Sequence, residues 1–281
     1  ISAPNLTSNP RNPMMLLPTD TSSFLSIDQL QSRVPAAFAN NAADFVSDKY
    51  TFVRTADIIE DLYAKNWVAV AANQSHSFKS DPLVQKHSIV FRQADAHAEH
   101  PELGSLFSAL RMTNSHNHTS KVTLANELLR LICGNGMIVS SGSFGSYEVR
   151  HDQITEDLRE VMNKFESTSV EQMNTAKEWS ETHLKPWHVR SFLIGASKLR
   201  FGEKSSMDKT DTLGISRREE DTGSSLWALF NRVQENGMRG GSKSGDMKRK
   251  TRSLTNIDAQ EAWNRGLRDI AFETRALALQ S

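Results

Sequence analysis

Residues 114–136, NSHNHTSKVTLANELLRLICGNG, are the stretch on which the fold depends. The opening run, 114–118, is a cluster of hydrogen-bonding side chains, which usually forms a loop. Over 121–133 apolar residues recur at spacings of three and four, and this spacing predicts a helix with one buried face. Glycine reaches positive φ without steric cost, so Gly134 and the glycine two residues later predict the end of that helix and a return strand at 137–140.

Three short runs upstream of this stretch predict a β-meander. The runs 67–72, 87–92 and 108–113 are rich in β-branched, aromatic or apolar residues and are separated by polar loops. A helical pattern precedes them, with Thr55 as its predicted N-cap. Before that helix, the alternation of aromatic and polar residues over 49–54 predicts a further strand.

The second half of the chain carries helical patterns. Apolar residues at helical spacing define amphipathic faces, Pro186 suits the first turn of a helix, and Gly202 suits its end. The final helix is predicted to begin at Asp258, with Glu261 at capping-box spacing. The predicted helices are 154–173, with a break at 167–169, then 186–199, 226–233 and 258 onward.

Together these elements predict an α+β fold, in which an N-terminal antiparallel sheet with packed helices is followed by a mostly helical region. A chain of 281 residues with 38% hydrophobic content can bury one sizeable core, or one core with a smaller helical subdomain. We divide it into a proline-rich arm over 1–26, an α+β core domain over 27–150 and a helical region over 151–281. The core domain opens with a short helix at 27–39, interrupted at Pro35. The composition of the arm cannot bury enough surface to fold alone, so we expect it to dock on the body or on a second copy.

Basic and acidic residues balance at 33 each, so attraction to an acidic polymer must come from uneven placement of charge. The placement is uneven in residues 236–253, NGMRGGSKSGDMKRKTRS, which we call the basic loop and which contains one acidic residue, Asp246. Clustered lysine and arginine in a glycine- and serine-rich loop suit phosphate contacts that are strong, salt-dependent and tolerant of sequence. The alternative interpretation is a solvated linker. The basic residues are Arg239, Lys243, Lys248, Arg249, Lys250 and Arg252.

Cysteine usage and hydropathy indicate the compartment. The single cysteine, Cys133, excludes an intramolecular disulfide and a cysteine-rich zinc site, and a reducing cytosol suits it. Its place on the apolar side of the predicted helix favours a small core residue over a catalytic thiol. No apolar run approaches the roughly 20 residues needed to span a bilayer, and the first residues lack the apolar region of a signal peptide. We therefore expect a cytoplasmic protein of a bacterial host, with no membrane partner.

His116 and His118 are the candidate metal ligands, because a spacing of two puts both side chains on one side of an extended strand. No HExxH, no paired Asp-x-Asp and no cysteine partner accompanies them, so hydrogen bonding to backbone or water is the simpler interpretation, and we expect no cofactor or metal. Residues 141–145, SGSFG, lack the G-x-S-x-G pattern of hydrolases and predict a hairpin turn. No G-x-x-x-x-G-K-[ST] loop is present, so any action on nucleic acid would be independent of ATP. The other histidines considered as ligands are His76, His87, His97 and His100.

Several aromatic residues fall in or beside the predicted strands. Exposed rings there could stack on bases, as single-strand binding requires, although such residues more often lie in the core. They are Phe78, Phe91, Phe107, Phe144 and Tyr147.

A series of short motifs runs along the chain in a fixed order. They are VPAAF at 34–38, YTFVRT at 50–55, NSH at 114–116, CGNG at 133–136, LWALFNRVQEN at 226–236, RGG at 239–241, TR at 251–252 and ID at 257–258. In this order and spacing the chain resembles, from about residue 27 to residue 275, a phage- and plasmid-borne family catalogued as domain of unknown function 932, and the resemblance is fairly specific. It implies a bacterial mobile-element protein, but no established reaction. The family often has Asn-Ser-His-Asp-Gly where this chain has Asn117 and His118 after the shared Asn-Ser-His.

The predicted order of elements is also similar to the core of single-strand annealing proteins, the RecT, Red-beta and Rad-fifty-two group. That comparison matches a first helix at 55–65, a meander at 67–113 and a second helix at 121–133. Proteins of this group bind single-stranded nucleic acid without ATP. The similarity implies a ring or filament that guides a strand along a basic groove, although order of elements alone does not establish function.

Our leading hypothesis is a phage- or plasmid-encoded protein that binds and anneals single-stranded DNA in recombination, as a homo-oligomer. The predicted phosphate contacts are Arg111, Lys121 and Arg130 together with the basic residues of the basic loop, and the predicted partner-facing turn is Asn114, Ser115, His116 and His118. One alternative is a metal-dependent nuclease or phosphodiesterase that uses His116 and His118. The other is a structural or host-interaction oligomer in which the arm docks on a neighbour.

Overall fold

The computed structural model has seven α-helices and six strands in the part of the chain that it describes. The helices are α1 (Ile27–Arg33), α2 (Thr55–Ala64), α3 (Ile154–Glu181), α4 (Pro186–Phe201), α5 (Met207–Leu213), α6 (Leu226–Arg239) and α7 (Ile257–Gln280). The strands are β1 (Trp67–Gln74), β2 (His87–Gln93), β3 (Glu99–His100), β4 (Gly104–Asn114), β5 (Thr123–Leu131) and β6 (Ser146–Glu148). Short 3-10 turns occupy Pro35–Phe38, Pro82–Val84 and Glu219–Asp221. The described residues are 24–47, 50–76, 81–95, 99–100, 103–131, 146–148, 154–203, 207–241 and 250–281.

The strands form one antiparallel sheet in the order β1-β2-β4-β5-β6, with β3 on the end of β4. The three predicted strands of the meander are β1, β2 and β4, and a bulge between Ala69 and Ala71 shifts the register of β1. The predicted α+β class, with a sheet followed by helices, is confirmed. No described helix has both the length and the apolar content that crossing a membrane requires.

The predicted helix over 121–133 is wrong, because residues Thr123–Leu131 form strand β5. Both faces of the sheet are covered, so apolar side chains occur at even and odd positions of the strand and imitate helical spacing. Leu124 and Leu128 enter cores on the helix-covered face, and Leu129 enters a small cluster on the other face. Pairing with β4 decides the conformation over local propensity. The predicted glycine stop, the return strand and Cys133 lie outside the described residues.

Element boundaries differ from prediction where side chains turn inward. Residues 50–54 form no strand, and Thr55 is the first residue of α2 and not its cap, because its side chain is buried. Helix α3 runs through 167–169 without the predicted break. There the three hydroxyl groups bond to carbonyl oxygens one turn earlier and leave the helix intact. At the start of α7, Asn256 is the N-cap in place of Asp258.

Two large cores lie on the helix-covered face of the sheet. One packs α1 and α2 against β1, β2 and β4, and the other packs α3, α4, α6 and α7 around Trp179 and Phe230. Strand β5 contributes to both, and so does α3, through Phe165 in the first and Trp179 in the second. The sheet and the C-terminal helices therefore contribute side chains to common hydrophobic cores. On the opposite face Val70, Val90 and Phe107 belong to a smaller cluster.

Candidate nucleic-acid interface

The polar turn after β4 is held by hydrogen bonds of its own side chains. Asn114 Nδ2 donates to Thr55 Oγ1 at 2.9 Å, and Asn114 Oδ1 accepts from the backbone N–H of Ser115 at 2.8 Å. Ser115 Oγ accepts from the N–H of Ser120 at 2.8 Å, which closes the turn. Asn114, Ser115 and His116 are buried, so most of this motif fixes the turn to the body of the protein.

His116 lies inside the protein against two other rings. Its ring centroid is 4.7 Å from that of Phe52 and 5.3 Å from that of His87. Burial lowers the pKa of His116 to about 4, and the backbone of Ala36 opposes this shift. Burial also lowers the pKa of His87 to about 3, against the effect of its bond to Gln85 O and with a contribution from His116. Both imidazoles are therefore neutral at pH 7.

The hydrogen bonds of His87 fix its tautomer. Gln85 O can only accept, so His87 Nδ1 carries the ring proton and donates to it at 3.0 Å. The unprotonated Nε2 therefore accepts from Thr55 Oγ1 at 3.0 Å, and Thr55 Oγ1 in turn accepts from Asn114. A buried chain of bonds thus joins α2, β2 and the end of β4.

His118 has a different environment from His116. It is exposed, its backbone φ is 63°, and its ring meets the edge of Tyr50 at 5.7 Å. The two histidines lie in a turn and not in an extended strand, so their spacing of two does not place them together as a ligand pair. Among the residues that the structure describes, no group of three His, Cys, Asp or Glu side chains could hold a metal ion.

A shallow pocket of about 210 Å³ lined by polar residues lies beside the turn, and we call it the turn pocket. Its lining includes Asn117 and Thr119 of the turn and the ion pair of Lys86 with Asp258. Asp258 is in the first turn of α7, so the helix N-terminus meets the polar turn here. The lining residues are Ser75, His76, Gln85, Lys86, Asn117, Thr119 and Asp258.

The predicted phosphate ligands Arg111 and Arg130 are buried in ion pairs. Arg111 forms a two-pronged bond to Glu127, at 2.5 and 2.9 Å, and also donates to Ser88. Arg130 Nη1 lies 2.6 Å from Asp221 Oδ1, with both side chains nearly inaccessible to solvent. These two arginines join elements of the fold. Lys121, beside the turn, is exposed.

The described ends of the basic loop lie side by side. Residues 236–239, predicted as loop, complete α6. The N–H of Gly241 donates to Thr251 O at 2.8 Å, and the N–H of Leu254 donates to Met238 O at 2.9 Å. We call these two paired segments, 238–241 and 251–254, the loop root. Lys243, Lys248 and Arg249 lie outside the described residues, whereas Lys250 and Arg252 are exposed.

Gly240 allows the close approach at the loop root. Its φ is 63°, and a Cβ there would lie 2.6 Å from both the carbonyl carbon and oxygen of Arg252. Arg217 Nη2 donates to Gly240 O at 2.8 Å, and Arg200 donates to Arg252 O at 2.6 Å. Two arginines thus clamp the two segments.

Sequence reasoning missed the arginines that clamp the loop root. Arg217 and Arg218 form a basic pair between the predicted helices 186–199 and 226–233, and this pair was the available signal. Nothing in the sequence indicates that Arg200, on α4, reaches the same place. Their roles depend on how α4 and the segment after α5 pack against α6.

A family model, the domain of unknown function DUF932, matches residues 42–265. The chain belongs to this family. The match confirms the resemblance carried by the short motifs, and it includes both the polar turn and the loop root.

Two proteins of Escherichia coli strain K12 are similar to the chain over most of its length. It is 28% identical to UPF0380 protein YfjQ over 252 residues, which is 86% of this chain and 89% of that protein. It is 26% identical to UPF0380 protein YafZ over 251 residues, again 86% and 89%. No solved structure matches.

The loop root of this family member connects to the turn pocket through a short segment. Asn73 Nδ2 on β1 donates to Thr255 O at 3.5 Å, and three residues later Asp258 lines the turn pocket. Residues 254–258 therefore lead from the paired ends of the basic loop to the polar turn.

The aromatic candidates for base stacking divide into buried and undescribed side chains. Phe91 is fully buried, and Phe107 is nearly so beneath the guanidinium of Arg92 at 4.7 Å. These two rings belong to the core of the sheet. Phe78, Phe144 and the side chain of Tyr147 lie outside the described part of the chain.

Proposed function

We propose that the protein binds single-stranded nucleic acid, DNA in the first instance, and promotes annealing without ATP. The basic loop is the main contact, and it meets the phosphate backbone through charge and not through base edges. Such contacts tolerate any sequence, which annealing requires because the bases must remain available for pairing.

The observation that carries this proposal is the construction of the loop root. Gly240, Arg200 and Arg217 hold residues 238–241 against 251–254, so the two described ends of the basic loop are fixed side by side on the protein. A solvated linker needs no such clamp. Lys250 and Arg252, both exposed to solvent, lie beside and within the loop root.

The proximity of the turn pocket supports a longer contact surface. The segment 254–258 joins the loop root to the turn pocket, where Asn117, Thr119 and Lys86 present polar groups. Arg111 and Arg130 are not part of the proposed surface, because they are buried in ion pairs. The proposed phosphate contacts are Lys121, Arg217, Arg239, Lys243, Lys248, Arg249, Lys250 and Arg252.

The element order expected from annealing proteins is present only in part. The first helix and the meander correspond to α2 and to β1, β2 and β4, but strand β5 occupies the place of the expected second helix at 121–133. The proposal therefore rests on the basic loop and the loop root and not on this analogy.

Binding is tested with a 3′-fluorescein-labelled oligothymidine of about 30 nucleotides, several times the usual site size of one domain. Fluorescence anisotropy is measured from about 50 to 200 mM salt, a range over which phosphate contacts weaken steeply. We expect micromolar or tighter binding at low salt, with log Kd linear in log salt concentration. Mixing two complementary labelled strands without ATP should then give faster duplex formation in the presence of the protein.

Absence of micromolar binding at low salt would rule out the proposal. If the protein bound duplex as tightly as single strand and did not accelerate annealing, the binding would be a general affinity for polyanions, and the proposed annealing function would be wrong. A single-stranded RNA of the same length, measured in parallel, determines which nucleic acid is preferred.

A further inference from the structure

Four arginines meet at the C-terminal end of α6, and three of them come from outside the basic loop. Each bonds to a residue between Glu235 and Gly240. Because they arrive from α4, from the segment after α5 and from α6 itself, the fold gathers this charge in one place. We call this set the arginine cluster, and its members are Arg200, Arg217, Arg218 and Arg239.

The buried carboxylate of Glu235 pairs with two members of the arginine cluster. Glu235 is 1% exposed. Its two oxygens accept from Arg218 at 3.0 and 3.1 Å, and Oε1 also lies 3.0 Å from Nε of Arg239. The nearby Asp221 is already paired with Arg130.

The other two arginines bond to neutral acceptors. In the described part of the chain, Arg217 donates to Asn236 Oδ1 and Gly240 O and forms no ion pair. Arg200 likewise donates to backbone oxygens. Among the described residues, the cluster therefore holds four positive charges against the single negative charge of Glu235.

The positive charges repel one another within the cluster. Burial lowers the pKa of Arg239, and of the charged groups around it Glu235 opposes that shift while Arg218 and Arg217 add to it. The acidic residues Glu219 and Glu220 precede α6 but are exposed to solvent, where water screens their charge.

Capping of α6 explains only part of this arrangement. A helix C-terminus is equivalent to about half a negative charge, which one arginine satisfies. The four arginines exceed the charge of Glu235 by three positive charges. After the half charge of the helix C-terminus is subtracted, more than two positive charges remain unbalanced.

Some donor groups of the cluster have no acceptor within the part of the chain that the structure describes. Arg217 is fixed at Nε by Asn236, whose own Nδ2 donates to the backbone oxygens of Leu213 and Ile215 at 2.9 and 2.8 Å. Among the described residues, Arg217 Nη1 and both Nη groups of Arg239 lack a hydrogen-bond acceptor. Guanidinium groups held in this way match the oxygens of a phosphate group.

We infer that the arginine cluster is a binding site for a phosphate monoester, as found at the end of a nucleic-acid strand. A monoester carries a charge near −2 at neutral pH, which matches a surplus above two better than the single charge of an internal phosphodiester. This inference rests on the proposed function, and it adds that the protein distinguishes a phosphorylated strand end from a hydroxyl end.

The test compares three labelled oligonucleotides of one sequence, with a 5′-phosphate, a 3′-phosphate or neither, the label being internal. We expect the preferred phosphorylated end to bind about tenfold more tightly than the unphosphorylated strand, as one added charge-assisted contact would give. The double variant R217Q/R239Q should lose that preference. The control R33Q/R265Q removes two exposed arginines elsewhere and should keep it.

Equal affinity of the intact protein for all three strands would overturn the inference and leave the proposed function standing. Loss of the preference in both double variants would also overturn it. If R217Q/R239Q does not fold, R217K/R239K retains the charges but loses the paired donors, and its preference should be reduced.

A second measurement decides the matter if no oligonucleotide binds. Thermal unfolding of the intact protein is followed in inorganic phosphate and in chloride at equal ionic strength, with both double variants. Stabilisation by phosphate that disappears in R217Q/R239Q and persists in R33Q/R265Q would support the site even though the proposed function had failed. Equal stability in the two salts would overturn the inference.

Discussion

At the scale of single residues, the buried histidine pair makes stability depend on pH. His87 and His116 have pKa values of about 3 and about 4 in the folded protein, because burial disfavours the charged imidazole. In the unfolded chain both should titrate near 6.5. The folded state therefore binds fewer protons than the unfolded state between these values, so its stability is complete above about pH 6.5 and falls as the pH decreases toward about 4.

The expected loss is about 1.4 kcal/mol per pH unit for each histidine within that window. Urea unfolding at about pH 7.5 and about pH 5 measures it. The variant H116N should show a shallower dependence than the intact protein, whereas H118N, which changes an exposed histidine of the same turn, should not. Parallel pH curves for H116N and the intact protein would show that burial of His116 has no such effect.

The buried ion pair of Arg130 and Asp221 gives the second prediction. Truncation of Arg130 to alanine leaves Asp221, whose pKa burial already raises, without its partner. We expect a loss of about 3 to 5 kcal/mol in the free energy of unfolding, as for other broken buried pairs.

The surface pair of Lys164 and Glu160 provides the comparison, and K164A should cost no more than about 1 kcal/mol. Urea denaturation of both variants gives the two values. If R130A unfolded like K164A, Arg130 would be unimportant for the fold and would again be a candidate for phosphate contact.

These arginines show what residue types alone could not indicate. The sequence does not distinguish an arginine exposed to solvent from one that pairs with a carboxylate distant along the chain. Arg111 finds Glu127 across the β4–β5 pair, and Arg130 finds Asp221 in the helical half. The charge of the basic loop could be predicted because its basic residues lie close together in the sequence. The arginine cluster could not, because Arg200 and Arg217 reach it only through tertiary packing.

At the scale of elements, Gly240 at the loop root should be sensitive to substitution. Both Gly240 and Gly202 have positive φ, but a Cβ at Gly202 meets nothing within 4 Å, whereas at Gly240 it would overlap the backbone of Arg252. We expect G202A to cost about 1 to 3 kcal/mol, because its φ of 81° and ψ of −179° lie in a region that alanine rarely adopts. G240A should lower the melting temperature further and weaken oligonucleotide binding.

Calorimetry and the anisotropy assay applied to both variants separate strain from steric overlap. If G240A bound oligonucleotides like the intact protein, the loop root would not position the basic loop for binding.

Strand β5 was predicted as a helix, and the reason for this error is physical. Leu124, Leu128 and Leu129 are all buried, but on two faces of a sheet that is covered on both sides. A strand with one exposed face would have alternated and been recognised. The strands of the meander were predicted correctly because β-branched and aromatic residues are concentrated there, and the C-terminal helices because their outer faces are polar.

At the scale of the whole molecule, the N-terminal arm gives a prediction about assembly. Residues 1–23 contain four prolines and are expected to dock on the body or on a second copy of the chain. If they join neighbouring copies, deletion of residues 1–23 should reduce the mass in solution measured by light scattering. An unchanged mass would exclude exchange of the arm as the basis of an oligomer.

The metal-dependent alternative predicts a stoichiometric ion in the purified protein. The separate environments of His116 and His118 give no support to a shared ion, and we expect elemental analysis to find none bound at that turn. A bound ion that was lost in H118N would revive the nuclease hypothesis.

The salt dependence of oligonucleotide binding shows whether the basic loop contacts the phosphate backbone. The variant K243Q/K248Q/R249Q removes three charges from the basic loop, and K164Q/K177Q/K198Q removes three exposed charges from α3 and α4. For single strands each phosphate contact contributes about 0.7 to the slope of log Kd against log salt concentration, so the slope of the loop variant should fall by about 2. The control variant should keep the slope of the intact protein. Unchanged affinity and unchanged slope in the loop variant would show that the basic loop does not contact the phosphate backbone.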